Sequence, residues 1–351
     1  MIRIGIVGCG NISDIYLQNL TNRFQNAAIY ALSDLDPKKA ENAAKKYKIA
    51  RIMTLDEMLV CPEIDLILNL TTPQGHYPIN RRCLLAGKSV YCEKPLSLTY
   101  AQGKELVELA AEHKLWLGCA PDTFLGAGIQ TGCDLVQSGK IGRPVSAMAF
   151  MLCHGHEHWH PDPEFYYAPG GGPLFDMGPY YLTALVQLLG EAESVYAMNG
   201  RAFAQRIITS EPKNGKIIDV QVDTHNAALI RFRNGAVATL ITSFDVWRST
   251  LPHMELHGTD GSLRIPDPNN FDGPVYLSNH GQEWVEIELV NEFRENSRGL
   301  GVSRMVQAMT DGCADHPANG LQGLHVLEIM EAIVRSGQEH REISLESRLT
   351  H

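Results

Sequence analysis

An α/β fold, with a doubly wound parallel sheet in its first third, is predicted by three observations. The chain opens on an apolar, β-branched run, IRIGIV (2–7), which meets a glycine turn and then a helical pattern. Strand-like and helix-like segments then alternate as far as residue 120. Beyond residue 225, Asn-Gly and Asp-Gly pairs join β-rich runs, the hairpin signature of antiparallel sheet.

IRIGIV suits a strand buried on both faces. GCGNIS (8–13) follows, and residues 15–20 have helical spacing. Strand, glycine turn and helix in that order are the setting of a dinucleotide fingerprint. Gly8 makes the tight turn and Gly10 lets the backbone approach a pyrophosphate. The helix start, Asn11 and Ile12, attracts its charge. Ser13 stands where a third glycine is usual, and its small side chain still permits close helix–strand packing. AAIYALSD (27–34) is the second strand, ending in Asp34. The fingerprint expects an acidic residue about 20 positions on. A carboxylate there binds both ribose hydroxyls and repels a 2′-phosphate, and no arginine stands nearby. The pattern therefore reads as NAD rather than NADP. The alternative is that Asp34 only opens the turn DLDP.

Residues 38–47 are helical and IDLILNLTT (64–72) is another buried strand. A helix is expected over 76–87, a strand over 89–94, a helix over 100–113 and a strand over 115–120. Repeated β-α-β units put a ligand at the carboxyl ends of the strands. TTP (71–73) and EKP (93–95) sit at such ends, so Thr71, Thr72, Pro73, His76, Glu93 and Lys94 are placed to touch cofactor or substrate. A domain boundary is expected between 1–121 and 122–351.

The remaining elements follow a different pattern. HNAALIRFRNGAVATLITSF (225–244) is a hairpin about Asn234-Gly235, and MELHGTDGSLRI (254–265) repeats the device with Asp260-Gly261. Residues 304–313 and 321–337 have helical periodicity, the latter stopped by Gly337.

Bulk properties narrow the partners. The 351 residues carry a net charge of −10 and no Lys/Arg cluster, which argues against nucleic acid or an anionic membrane. No signal peptide is read at the N-terminus, and the longest apolar runs are too short to span a bilayer. Eight cysteines are scattered with no C-x-x-C, as expected of free thiols in a reducing cytoplasm.

GCGNIS, TTPQGH (71–76), EKPLS (93–97), SGKIG (138–142) and GGGPLFDMGPYYL (170–182) occur in an order and spacing that resembles the glucose–fructose oxidoreductase / inositol dehydrogenase / rhizopine-catabolism (Gfo/Idh/MocA) family. The resemblance covers nearly the whole chain, and EKP and the glycine-aspartate segment are specific together. It implies a Rossmann dinucleotide-binding domain followed by an α/β domain with a large open, mainly antiparallel sheet. It implies NAD(P)-dependent dehydrogenases or reductases of sugars, inositols and polyols, often dimers or tetramers.

Hydride transfer leaves an alcohol proton to remove, which calls for a base. The resemblance implies a catalytic or substrate-orienting lysine at Lys94; otherwise Lys94 is a solvated surface residue. Asp176 looks like an N-cap for a helix running to Leu189 and stopped by Gly190, or it is a cap and nothing more. Four residues on, where the family often has a proton-transferring histidine, stands Tyr180. Either Tyr180 does the proton work with Lys94 lowering its pKa, or Lys94 is the base and Tyr180 binds substrate. Tyr181 is expected in the core. Asp122 and Thr123 suit sugar hydroxyls, where many relatives carry an arginine.

HGHEHWH (154–160) places four histidines at alternate positions. They exceed what a zinc site uses, PDP interrupts any strand, and no metal is expected. His156, His158 or His160 is expected to bind substrate hydroxyls, His160 first, and His154 to belong to the sheet. The resulting expectation is a cytoplasmic, homo-oligomeric NAD-dependent dehydrogenase of a sugar, glycoside or cyclitol. Two alternatives remain: a glycoside hydrolase that oxidises transiently and recycles its NAD, and a non-catalytic NAD-binding regulator.

Overall fold

The computed structural model describes residues 1–313 and 315–349. Two compact units divide it. The first takes residues 1–125 and resumes at 296–327; the second takes 126–295 and 328–348. A single boundary at 121/122 therefore falls near the first crossing and leaves out the return.

The first unit alternates strand and helix: β1 (Ile2–Val7), α1 (Asn11–Asn22), β2 (Ala27–Ser33), α2 (Pro37–Tyr47), α3 (Leu55–Val60), β3 (Leu66–Asn69), α4 (Pro73–Leu85), β4 (Ser89–Cys92), α5 (Tyr100–Glu112) and β5 (Leu117–Cys119). All four strand pairings are parallel, in the order β2-β1-β3-β4-β5. The chain runs outward from β1 to β2 and then returns to its other side at β3. That reversal opens a crevice at the carboxyl ends of β1 and β3. Ile4, Ile6, Leu66, Ile67, Leu68, Val90 and Tyr91 have no exposed surface, as expected of strands covered on both faces. α4 begins at Pro73, three residues before the expected start, with Thr72 as N-cap and the proline in the first turn.

The second unit contains α6 (Ala127–Gln137), β6 (Pro144–Leu152), α7 (Gly172–Asp176), α8 (Gly178–Leu189), β7 (Ala192–Gly200), β8 (Gln205–Ile207), β9 (Ile217–Asp219), β10 (His225–Phe232), β11 (Val237–Ser243), β12 (Met254–Gly258), β13 (Gly261–Ile265), β14 (Val275–Asn279) and β15 (Val285–Ile287). The chain then returns to the first unit in α9 (Leu300–Asp311). α10 (Gly320–Glu339) begins there and carries the chain back to β16 (Ile343–Ser344).

The nine-stranded sheet is ordered β15-β14-β13-β12-β6-β11-β10-β7-β16, and only β6 and β11 pair in parallel. Both predicted hairpins form: β10–β11 about Asn234-Gly235, and β12–β13 about Asp260-Gly261. α8 is buried along almost its whole length and packs against one face. On the other face the register aligns Met148, Thr239, Leu229 and Tyr196 across four strands, with Phe150, Ile241, Ala227 and Met198 as the next row. Met198 is 66% exposed and Leu229 50%. Among the described residues no helix is long and apolar enough to cross a membrane.

Candidate functional site

In the first unit the carboxyl ends of the strands gather a set of backbone-determined groups. Gly8 has φ +99° and donates its N–H to Ser33 O at 2.8 Å. A Cβ there would stand 2.7 Å from the Leu70 backbone, so only glycine lets the β1 and β3 loops approach this closely. Gly10 caps α1, and nothing lies within 4 Å of where its Cβ would be. The free amides at the start of α1, Asn11 and Ile12, are thus open to an anion. Ser13, at the third glycine position, is buried and donates its hydroxyl to Gly10 O at 2.6 Å.

Asp34 opens the turn DLDP and also reaches the glycine loop. One carboxylate oxygen accepts the Cys9 N–H of the glycine loop at 2.7 Å, and the other accepts Asp36 N–H at 2.8 Å within its own turn. The acid is therefore held beside the glycine loop.

The β3 and β4 loops are braced from behind. Thr71 donates its hydroxyl to Asn69 Oδ1 at 2.7 Å, and Asn69 donates to Asn80 at 2.8 Å. His76 is completely buried, with Nδ1 at 2.6 Å from Pro95 O and Nε2 at 3.0 Å from Thr71 O. Burial pushes its pKa down against the upward pull of those two carbonyls. Glu93 is buried, accepting the Tyr16 hydroxyl at 2.8 Å and the Lys94 N–H at 2.9 Å. His76, expected to touch the cofactor, ties the TTP and EKP loops together; Glu93, also expected there, ties the EKP loop to α1, and Lys94 is half-buried at the edge.

Asp122 departs from expectation. It is 1% exposed, and its Oδ2 accepts the N–H groups of Gly299 and Gly301 at 2.8 and 3.0 Å, where α9 begins. It caps a helix from a distant segment and offers nothing to a sugar.

In the second unit, residues 154–160 turn instead of extending, so the four histidines do not share a face. His154 follows the end of β6 instead of lying in the sheet, stacked on Trp247 with ring centres 3.3 Å apart. His158 is exposed. His160, the first choice for substrate, accepts Asp162 N–H at 3.0 Å through Nδ1 and sits edge-on to Phe165 and Tyr166. Burial lowers its pKa.

His156 is the histidine held between a carboxylate and an indole. Its Nε2 lies 3.2 Å from Asp176 Oδ2, and its Nδ1 accepts the Trp159 indole N–H at 3.3 Å. Since an indole nitrogen only donates, Nδ1 carries the lone pair and Nε2 the proton given to Asp176. The two side chains are 13% and 20% exposed. Tyr166 and Phe244 close around the ring at 4.5 and 4.7 Å.

Asp176 ends the short helix α7, and Met177, not Asp176, is the N-cap of α8. Its carboxylate faces a histidine instead of a helix start. Tyr180 is buried in the first turn of α8, and Tyr181 is a core residue bonded to His253 at 3.0 Å.

A buried ion cluster holds the turn in place. Arg206 pairs with Glu157 at 2.6 Å and with Asp245, and also donates to Phe244 O at 2.7 Å. Burial pushes the Glu157 carboxyl up, but the Tyr167 hydroxyl and Arg206 more than offset this and hold it low. Sequence reading missed this cluster because its members lie far apart in the chain and share no local pattern. Among the described residues, no group of three or more His, Cys, Asp or Glu side chains is arranged to hold a metal.

A family model described as "Oxidoreductase family, NAD-binding Rossmann fold" matches residues 2–120, and one for the "GFO/IDH/MocA C-terminal domain" matches 129–264. The chain belongs to the Gfo/Idh/MocA family. Within this family it is similar to an inositol 2-dehydrogenase of Burkholderia ambifaria, 29% identical over 96% of this chain and 94% of that one. It is 28% identical to an uncharacterized oxidoreductase of Schizosaccharomyces pombe over 56% of this chain, and spans only 54% of that relative's length. A levoglucosan dehydrogenase solved in complex with NADH and levoglucosan shares the fold, with a TM-score of 0.82, 19% identity and 99% of each chain covered.

Proposed function

We propose that the protein is an NAD-dependent dehydrogenase or reductase. Its substrate is a sugar, glycoside or cyclitol that exchanges a hydride at a hydroxyl-bearing carbon. The observation that carries this reading is the Trp159–His156–Asp176 chain, a histidine whose tautomer is set and whose acceptor nitrogen can take a proton. The names of similar proteins, inositol 2-dehydrogenase and levoglucosan dehydrogenase, point to the same substrate class.

The first unit fits a dinucleotide: Gly8 makes the close turn, and the space at Gly10 leaves the start of α1 open. Gly8, Gly10, Asn11 and Ile12 would hold the pyrophosphate, Asp34 the ribose, and Thr71, Thr72 and Pro73 the nicotinamide end. Asp34 favours NAD over NADP by repelling a 2′-phosphate. When bound, the nicotinamide ring accepts or returns the hydride.

The chain's own groups handle the proton. The substrate hydroxyl replaces the indole N–H at His156 Nδ1 and gives up its proton there. Asp176 keeps the tautomer and stabilises the imidazolium, as the acid of a hydrolase triad does. This assigns to His156 the proton work that the motif order suggested for Tyr180. Lys94 and Tyr180 keep substrate-orienting roles.

The test is NADH formation from NAD over a panel of inositols, aldoses and glycosides, with His156→Ala beside the parent enzyme. Turnover of one class, lost in the variant, supports the assignment. Product without matching NADH would replace it with a hydrolase that recycles its cofactor. Undiminished turnover in His156→Ala would refute the role given to that residue.

We also propose a homodimer or homotetramer built on the outer face of the large sheet, whose two aligned apolar rows are costly to leave in water.

A further inference from the structure

The two-stranded ribbon β8–β9 stands apart from the nine-stranded sheet, with Arg206 paired opposite Ile218. Their neighbours in each strand are exposed, so the alternation turns Arg206 and Ile218 inward. The Arg206 side chain is 3% exposed. A buried guanidinium has to find acceptors for its donors, and where those acceptors lie decides what it holds.

They lie on both sides of His156. Nη1 donates to the Glu157 carboxylate at 2.6 Å and to His154 O at 3.3 Å. Nη2 donates to Phe244 O at 2.7 Å and to the Asp245 carboxylate. One planar group therefore fixes the residue two before His156, the residue after it, and the residue whose ring packs 4.7 Å from its imidazole. Gly155, immediately before His156, has φ +77°, and a Cβ there would stand 2.3 Å from Glu157 Oε2 and 3.0 Å from Arg206 Nη1. Glycine lets the ion pair press against the backbone at this point. The chain after β8 completes the hold. Thr209 and Ser210 donate their N–H groups to Glu157 O at 2.9 and 3.1 Å, and the Ser210 hydroxyl donates to His160 O.

We propose that Arg206 is the positioning residue for His156, and that the ribbon β8–β9 serves the reaction by carrying it. This rests on the proton-accepting role of His156 proposed above. Arg206 acts through the backbone of the turn and through the Phe244 wall, which together keep the imidazole within reach of Asp176. A displacement of about 1 Å in such a group can cost about 10²-fold in rate. Lysine in place of Arg206 keeps the charge but loses the planar fork, and a point charge with three donors cannot span two carboxylates and two carbonyls in the same way.

The test compares Arg206→Lys, Arg206→Met and His156→Ala in steady-state NADH assays on the substrate class that the parent turns over. It also follows the indole N–H signals of the ¹⁵N-labelled full chain. Four tryptophans give four signals, and Trp159→Phe identifies the one bonded to His156. Arg206→Lys should lower kcat by about 10- to 100-fold while KM stays within about threefold. It should also shift the Trp159 signal and leave those of Trp116 and Trp284 in place. Arg206→Met should lose more kcat than lysine does; if methionine leaves the two carboxylates too poorly compensated to fold, Arg206→Lys decides alone. An unmoved Trp159 signal, kcat within about twofold of the parent, or a raised KM at unchanged kcat would overturn the proposal. Turnover that survives in His156→Ala removes the reading beneath the proposal and overturns both. Turnover lost in His156→Ala but kept in Arg206→Lys overturns the proposal alone. If the parent turns over nothing on the panel, the Trp159 signal decides whether Arg206 places the ring.

Discussion

Replacing Asp122 by Asn should stabilise the protein at neutral pH and remove part of its pH dependence. Asp122 is buried with one oxygen bonded to two amides of α9 and the other without a partner. Burial pushes its pKa up from 3.8 to about 6, with a smaller push from Glu93; the Gly301 amide, Arg298 and the Gly299 amide pull the other way. The folded state therefore holds the proton more tightly than the unfolded chain. The sign follows: Asp122 costs stability in full above about pH 6, and the cost is relieved as pH falls toward 4. A gap of about two pKa units corresponds to about 3 kcal/mol. Asparagine keeps an acceptor for both amides and carries no charge. Urea denaturation of both proteins is the assay, and groups common to them cancel in the difference. The variant should be more stable by about 3 kcal/mol near pH 8 and by under about 1 kcal/mol near pH 4. Its KM should match the parent's, because the side chain meets no substrate. A difference independent of pH, or a variant less stable throughout, would refute the reasoning.

Four further outcomes are expected. His156→Ala and Asp176→Asn should each lower kcat by about 10²- to 10⁴-fold in steady-state NADH assays. Trp159→Phe should cost less than about tenfold, because substrate takes the place of its indole. Asp34→Ser should erode the preference for NAD over NADP and also raise KM for NAD, since Asp34 anchors the Cys9 amide; unchanged cofactor selectivity would count against it. Met198→Glu combined with Leu229→Glu, in adjacent apolar rows of the sheet face, should shift the mass seen by light scattering toward the monomer. A parent protein that is already monomeric at micromolar concentration would contradict the proposed assembly.

The sequence was legible where the demand on the chain is local. Gly8 reads from a turn that no other residue can make, and Asn234-Gly235 and Asp260-Gly261 read from two-residue hairpins. The early start of α4 was also readable, because Thr72 followed by Pro73 is a helix-start signal. Asp122 was not readable as a cap: its partners stand 177 and 179 residues away and contribute only backbone amides. His156 could be placed in a short list but not chosen, since its distinction comes from how a turn brings it to Asp176. Its one local clue is Trp159, three residues on, whose indole faces the ring.

The interrupted first unit has a consequence for how the protein is made. Asn19 donates to the carbonyls of Asn296 and Arg298, Cys119 N–H pairs with Ala318 O, and Asp122 waits for α9. On the ribosome the nucleotide half is therefore begun first and completed only after all but the last strand of the large sheet has been synthesised. Until then β5 lacks its last partner and the Asp122 carboxylate has no helix to cap. A late frameshift would damage the beginning of the protein as well as its end. Anyone transplanting the nucleotide half into another protein would need to carry residues 1–125 and 296–327 together.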